Sequence, residues 1–216
     1  MTAILKDIAI VGGGGLGKET AVLIHQINQE ELTWNVVGFY DDAMSVGQKV
    51  AGHLVLGKVD ELNRIDYALH VVVAIGDPVI KKQVVQLLSN LRLHFPMLLH
   101  PSAIVGLNVK VGEGSMITAG CRLTVDIEIG KHVLLNLNTT IGHDVAVGNF
   151  SSVMPGVHLS GSVKIGESVL IGTGASILQH VHIGDHAIVG AGAVVNKSVR
   201  ESITVAGVPA RSIFKK

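Results

Sequence analysis

The sequence predicts an α/β plus β chain, with a small Rossmann-like βαβ domain over residues 1–100 and a parallel β-helix of hexapeptide repeats over 101–216. Three observations predict it. Between positions 105 and 195 every sixth residue is aliphatic, sixteen times in succession. Ahead of that repeat, a short aliphatic run ends in Gly12-Gly13-Gly14-Gly15-Leu16-Gly17 and passes into a segment of helical periodicity. Aromatic residues make up only 3% of the chain, which suits a narrow prism filled by Val, Ile, Leu and Ala.

In the first domain, residues 8–11 form a strand, the glycine run a turn, and residues 18–29 a helix with apolar Ala21, Val22, Ile24 and Ile27. Further strands are expected at 35–40, closed by Asp41-Asp42, and at 69–75, closed by Gly76-Asp77-Pro78. A helix over 79–91 and a last strand at 95–99 lead through His100 and Pro101 into the first coil. Strands alternating with helices imply a small parallel sheet. Gly12, Gly14 and Gly17 satisfy G-x-G-x-x-G between strand and helix, the setting in which a backbone approaches a phosphate at a helix start. A phosphate-bearing ligand is therefore expected at this turn, with Asp41 or Asp42 spaced to reach a ribose. The alternative is a turn that only packs helix on strand. A redox dinucleotide needs a second mononucleotide half that this sheet lacks, so a single nucleotide carrying a sugar fits better.

The hexads give the second domain its period, because each short strand must stack on the coil below to bury its side chain. Neither a period of 3.6 nor strict alternation fits this spacing. Glycine follows the aliphatic position in nine hexads, and the residue two before it is usually small or β-branched. The lone cysteine, Cys121, occupies such an inward slot and reads as packing. His143 is third in its hexad, beyond the inward slot, and projects near a corner beside Asp144. His132, His158 and His182 read as surface residues. A histidine beside a carboxylate suits a general base, since an imidazole titrates near pH 6.5 and a nearby negative charge raises that value. Neighbouring strand residues point to opposite faces, so the pair cooperates directly only if the chain turns there or a second subunit reorients one of them. His143, His180 and His186 come nearest to a zinc set, but two eighteen-residue coils from His143 land on Gln179, so no metal is expected.

A formal net charge of 0 and a pI near 7.2 give no sign of a nucleic-acid partner. No apolar run approaches the roughly 20 residues that cross a bilayer, and the early charged Lys6 and Asp7 argue against a signal peptide. A soluble, cytoplasmic chain is the expectation.

Together the hexads, the closing Ala206-Gly207-Val208-Pro209-Ala210-Arg211, the GGGGLG turn, and Asn136 ahead of His143-Asp144 carry a resemblance. The chain resembles the hexapeptide-repeat sugar acyltransferases of the sialic-acid O-acetyltransferase type, including N-acetyltransferases acting on UDP-4-amino sugars toward bacillosamine. The resemblance covers nearly the whole chain and implies a left-handed β-helix. It also implies transfer from acetyl-CoA to a nucleotide sugar at the contact between subunits of a homotrimer. His143 matches the base, Asp144 the carboxylate that supports it, and Asn136 a polar residue of the site. Coenzyme contacts would fall at Ser152, Gly161, Thr173 and Ala191, and the resemblance places the substrate nucleotide on Gly13, Gly14, Gly15, Asp41, Asp42 and Gly76. Two positions depart from the family: Ser152 stands where a coenzyme-contacting histidine is found, and Leu16 where a histidine often lies near the sugar. An O-acetyltransferase of a sialic-acid-like sugar, a zinc-dependent hydratase and a non-catalytic nucleotide-binding trimer are the competing readings.

Overall fold

The computed structural model describes residues 5–213. Its N-terminal part is a six-stranded sheet in the order β3-β4-β2-β1-β5-β6, formed by β1 (Lys6–Val11), β2 (Trp34–Tyr40), β3 (Lys49–Val50), β4 (His53–Gly57), β5 (Leu69–Val73) and β6 (Leu93–His94). All neighbours are parallel except β3 and β4. Helix α1 (Gly15–Glu30) carries the chain from β1 to β2, and α2 (Pro78–Leu87) from β5 to β6. Chain order therefore reverses at β1, whose two neighbours are β2 and β5, and ligands of open parallel sheets gather outside the strand ends at such a reversal.

Three expectations about elements are corrected. The hairpin of β3 and β4 was not foreseen, because its turn is Ala51-Gly52, with Ala51 at φ 45 in a conformation that sequence assigns to Asn or Gly. Helix α2 ends at Leu87 rather than 91, where the Asn63 side chain receives the Ser89 and Asn90 amides. The strand expected at 95–99 is divided: the sheet closes with β6, whereas Leu98–Leu99 pairs with Met116–Ile117 as the first rung of the coil. Leu99 stands six residues before Val105, so the aliphatic repeat reaches one step further than the run read from sequence.

The coil has three parallel sheets of eight, six and five strands, the eight-stranded one extended past the repeat by a closing antiparallel hairpin, Thr204–Ala206 with Arg211–Ser212. Strands pair with partners eighteen residues away, as Leu134–Leu135 does with Ser152–Val153. The aliphatic position and the small residue two before it both point inward, and Ile117, Leu135, Ile171, Cys121, Ala175 and Ala193 have 1% exposure or less. Between strands the chain turns through a left-handed residue at the fourth hexad place, among them Asn108, Asp126, Asn138, Asp144 and Ser162, with φ between 53 and 60. Gly, Asn, Asp and Ser recur there because they tolerate that conformation best. The glycines after the aliphatic residue have a different cause: a Cβ on Gly172 would lie 2.5 Å from the Ala191 amide of the next coil.

The N-terminal unit packs on one face of the coil. Leu98, Met116 and Leu134 join Ile8, Ile24 and Phe39 in one core, and Lys82 pairs with Glu167. This docking corrects the reading of His132 as a surface residue. Its ring is 5% exposed, parallel to Phe150 and edge-on to Phe95, because the segment after β6 covers that corner. Burial pushes its imidazole down to about 4.

Candidate active site

His143 and Asp144 follow the strand Thr140–Ile141 at an exposed corner of the prism. The requirement that the chain turn there is met: Asp144 has φ 59, which swings its carboxylate to the side of the preceding ring. Nδ1 of His143 lies 2.7 Å from Asp144 Oδ2, with both side chains about three-fifths exposed (62% and 60%). An ionised carboxylate only accepts, so Nδ1 donates and Nε2 is the ring nitrogen without a protein partner among the described residues. Backbone bonds hold this corner on both sides, from Asp144 N to Val125 O and from Ser162 N to His143 O. Gly161 lies beneath the ring, and its amide makes no hydrogen bond among the described residues.

Asn136 stands at the preceding corner and is buried, its Oδ1 accepting from Leu137 N at 2.8 Å. One chain therefore does not join Asn136 to His143. Thr173 and Ala191 are exposed one above the other beside the Asn136 corner, on the edge that also carries Leu137, whereas Gly161 belongs to the His143 edge. Ser152 is a correction. Expected among the coenzyme contacts, it has no exposed surface and its Oγ accepts from Lys81 Nζ at 2.9 Å beneath α2, so it presents nothing to a ligand. Lys81 is 1% exposed, and burial pushes its amine down to about 7. Sequence offered no signal for it, since Lys81-Lys82 reads as an ordinary charged helix face.

The glycine turn sits at the sheet reversal. Gly17 admits no side chain, because a Cβ there would run into Gly12 O, so helix and strand pack at backbone contact. Gly14 and Gly15 have open space before them, and the first amides of α1 lack helical partners. Asp41 is already engaged: Oδ2 accepts from Gly13 N at 2.7 Å, and Oδ1 from Ala43 and Met44. Asp42 Oδ1 accepts from Val59 N at 3.0 Å. Both carboxylates thus shape the loop beside the turn. Gly76 faces Met154 of the coil, eighteen residues beyond Asn136 on the same corner. A cavity of about 360 Å³ opens between α1 and that corner, lined by Lys18, Val22, Gln26, His100, Thr118 and Asn136. No three His, Cys, Asp or Glu side chains stand close enough to share a metal ion among the described residues, and no described helix is long and apolar enough to cross a membrane.

Comparison with known proteins places this geometry. Residues 7–88 match the PglD N-terminal domain and residues 162–197 the bacterial transferase hexapeptide of six repeats. The UDP-N-acetylbacillosamine N-acetyltransferase of Bacillus subtilis is 35% identical over 117 residues, and the match spans about half of each protein, 53% of this chain and 52% of that one. The acetyltransferase domain of PglB from Neisseria gonorrhoeae superposes with a TM-score of 0.89 at 31% identity, covering 96% of this chain and 100% of that one. PerB from Caulobacter crescentus, solved with CoA and GDP-perosamine, gives a TM-score of 0.87 at 28% identity over 99% of this chain and 100% of its own. With an N-terminal sheet of the PglD type set on a hexapeptide coil, and the gonococcal domain matched along its whole length, the chain belongs to the hexapeptide-repeat sugar acyltransferase family.

Proposed function

We propose that the protein transfers the acetyl group of acetyl-CoA to the amino group of a nucleotide-linked amino sugar, with His143 as general base. The observation that carries this reading is the 2.7 Å bond between His143 and Asp144 at an exposed corner. With Nδ1 engaged by the carboxylate, Nε2 is the nitrogen left to accept a proton. The acceptor amine attacks the thioester carbonyl, forming the C–N bond. Nε2 takes the amine proton, and the C–S bond breaks to release the coenzyme as a thiol once a proton is returned to sulfur. Backbone amides at the corner, Gly161 N–H among them, would hold the oxyanion that develops on the carbonyl. General-base assistance supplies about 10²–10⁴-fold, and positioning of the two substrates must supply much of the rest.

Residues 1–100 would bind the nucleotide sugar at Gly13, Gly14, Gly15 and Gly76, with Asp41 and Asp42 shaping that site, while residues 101–216 carry the transfer. The division of the coenzyme-binding expectations between two edges supports assembly. Gly161 lies on one edge and Thr173 and Ala191 on another, with Asn136 beside the latter, so one groove can hold all four only if edges of two chains face each other. A homotrimer has that arrangement. Related proteins solved with acetyl coenzyme A, or with CoA and GDP-perosamine, support the substrate class.

The decisive experiment follows coenzyme A release with UDP-, GDP- and dTDP-linked amino sugars, and with sialic acid as the hydroxyl acceptor. Release with an amino sugar and loss of it in His143→Ala are expected; turnover of sialic acid alone would move the assignment to O-acetylation. Light scattering should return three times the chain mass, and a monomer would remove half of the groove.

A further inference from the structure

Gly161 stands eighteen residues after His143 and lies against its imidazole. A Cβ built on Gly161 would come 2.6 Å from Cε1 and 3.0 Å from Cδ2, and closer still to Nε2. Backbone conformation does not demand glycine here, because Gly161 lies outside the left-handed region and alanine could take its place without strain. Packing against the coil does not demand it either. The three nearest atoms to that Cβ all belong to the His143 ring, whereas at Gly142 and Gly172 they belong to the backbone of the next coil. The first group that a side chain at 161 would meet is therefore the imidazole, which is 62% exposed in the single chain and has room to move away.

We propose that Gly161 is a positioning residue, whose bare Cα is the seat that holds the His143 ring flat on the coil while Asp144 holds its Nδ1. This inference rests on the reading of His143 as the base. Two restraints are needed because the bond to Asp144 fixes one nitrogen and leaves the ring free to pivot about it. The seat lies at the opposite edge, under Nε2, and stops that pivot. Methyl substitution lifts the reactive nitrogen off the coil, and misplacement by about 1 Å costs on the order of 10²-fold in rate. The role differs from that of a coenzyme contact, which would appear in the binding of acetyl-CoA instead.

Gly161→Ala in the full chain separates the two roles. The expected result is a kcat lower by about 10²-fold, a KM for acetyl-CoA within about twofold of the parent, and an unchanged melting temperature. In ¹⁵N spectra of the imidazole, the parent protein should show distinct protonated Nδ1 and bare Nε2 signals for His143. In Gly161→Ala these should converge as the ring leaves Asp144. Adding Gly161→Ala to His143→Ala should cause no further loss, because a seat without a ring has no effect. An unchanged kcat, or a raised KM for acetyl-CoA with an unaltered His143 spectrum, would overturn the proposal. If His143→Ala itself kept normal turnover, the base assignment would fail, and the spectra would still decide whether Gly161 seats the ring.

Discussion

Two corners of the same coil carry histidines with opposite fates. At one, His143 precedes a left-handed Asp144, projects into solvent and is bonded through Nδ1. At the other, His132 itself occupies the left-handed place with φ 53, and its ring is enclosed between Phe95 and Phe150. A step of one hexad place, together with the domain that covers one corner and not the other, separates a candidate base from a core residue. Its buried Nδ1 has no hydrogen-bond partner among the described residues. An exposed, paired imidazole can exchange protons with a substrate; an enclosed one is held neutral and contributes packing.

The largest effect should come from the open corner. His143→Ala is expected to lower kcat by about 10²–10⁴-fold with the melting temperature unchanged, measured by coenzyme A release and calorimetry on one preparation. Substantial residual turnover would erase the functional half of the comparison. At the closed corner, His132→Ala should do the reverse, costing about 3 kcal/mol of stability by cavity formation while the folded fraction keeps its kcat.

Titration sharpens the contrast. His132 is pushed down to about 4 in the folded chain, below the ordinary 6.5, so between these values the unfolded state binds the extra proton. Its contribution to stability is complete above pH 6.5 and is lost as pH falls toward 4, by up to about 3 kcal/mol. Urea midpoints taken across that range should decline in the parent, and His132→Phe should flatten the decline. Lys81, behind the same covered face, is pushed down to about 7 from 10.5, so stability should climb as pH rises between those values. Lys81→Met should abolish that climb; an equal climb in the variant would mean that the lysine is charged and paired. The smallest effect is expected from Asp144→Asn, about five- to tenfold in kcat, because an exposed hydrogen bond to a charged group is worth about 1 kcal/mol.

Much of this was legible in the chain itself. The six-residue ruler located the coil, its inward slots and Cys121, and the glycine turn located the sheet reversal. The projecting corner of His143 followed from counting within a hexad. What resisted was anything set by docking between the two parts. Ser152 lies beneath α2 and His132 beneath the segment after β6, and nothing within either hexad signals that cover. Asp41 and Asp42 have the spacing of ribose ligands, yet both Asp41 oxygens and Oδ1 of Asp42 already accept from backbone amides of their own loop and its neighbours.

The sequence by itself determined the repeating architecture, because burial of an aliphatic side chain every sixth residue is a local rule that each coil obeys in turn. It also set His143 beyond the inward slot with Asp144 beside it. Only the tertiary structure decided which outward positions stay outward, because that depends on a second domain whose contacts lie about seventy residues away in the chain, as between Lys81 and Ser152. It also decided that Asp144 turns toward His143 and that Gly161 lies beneath the ring. Both follow from the left-handed corners and from the eighteen-residue stacking that brings distant residues to one edge.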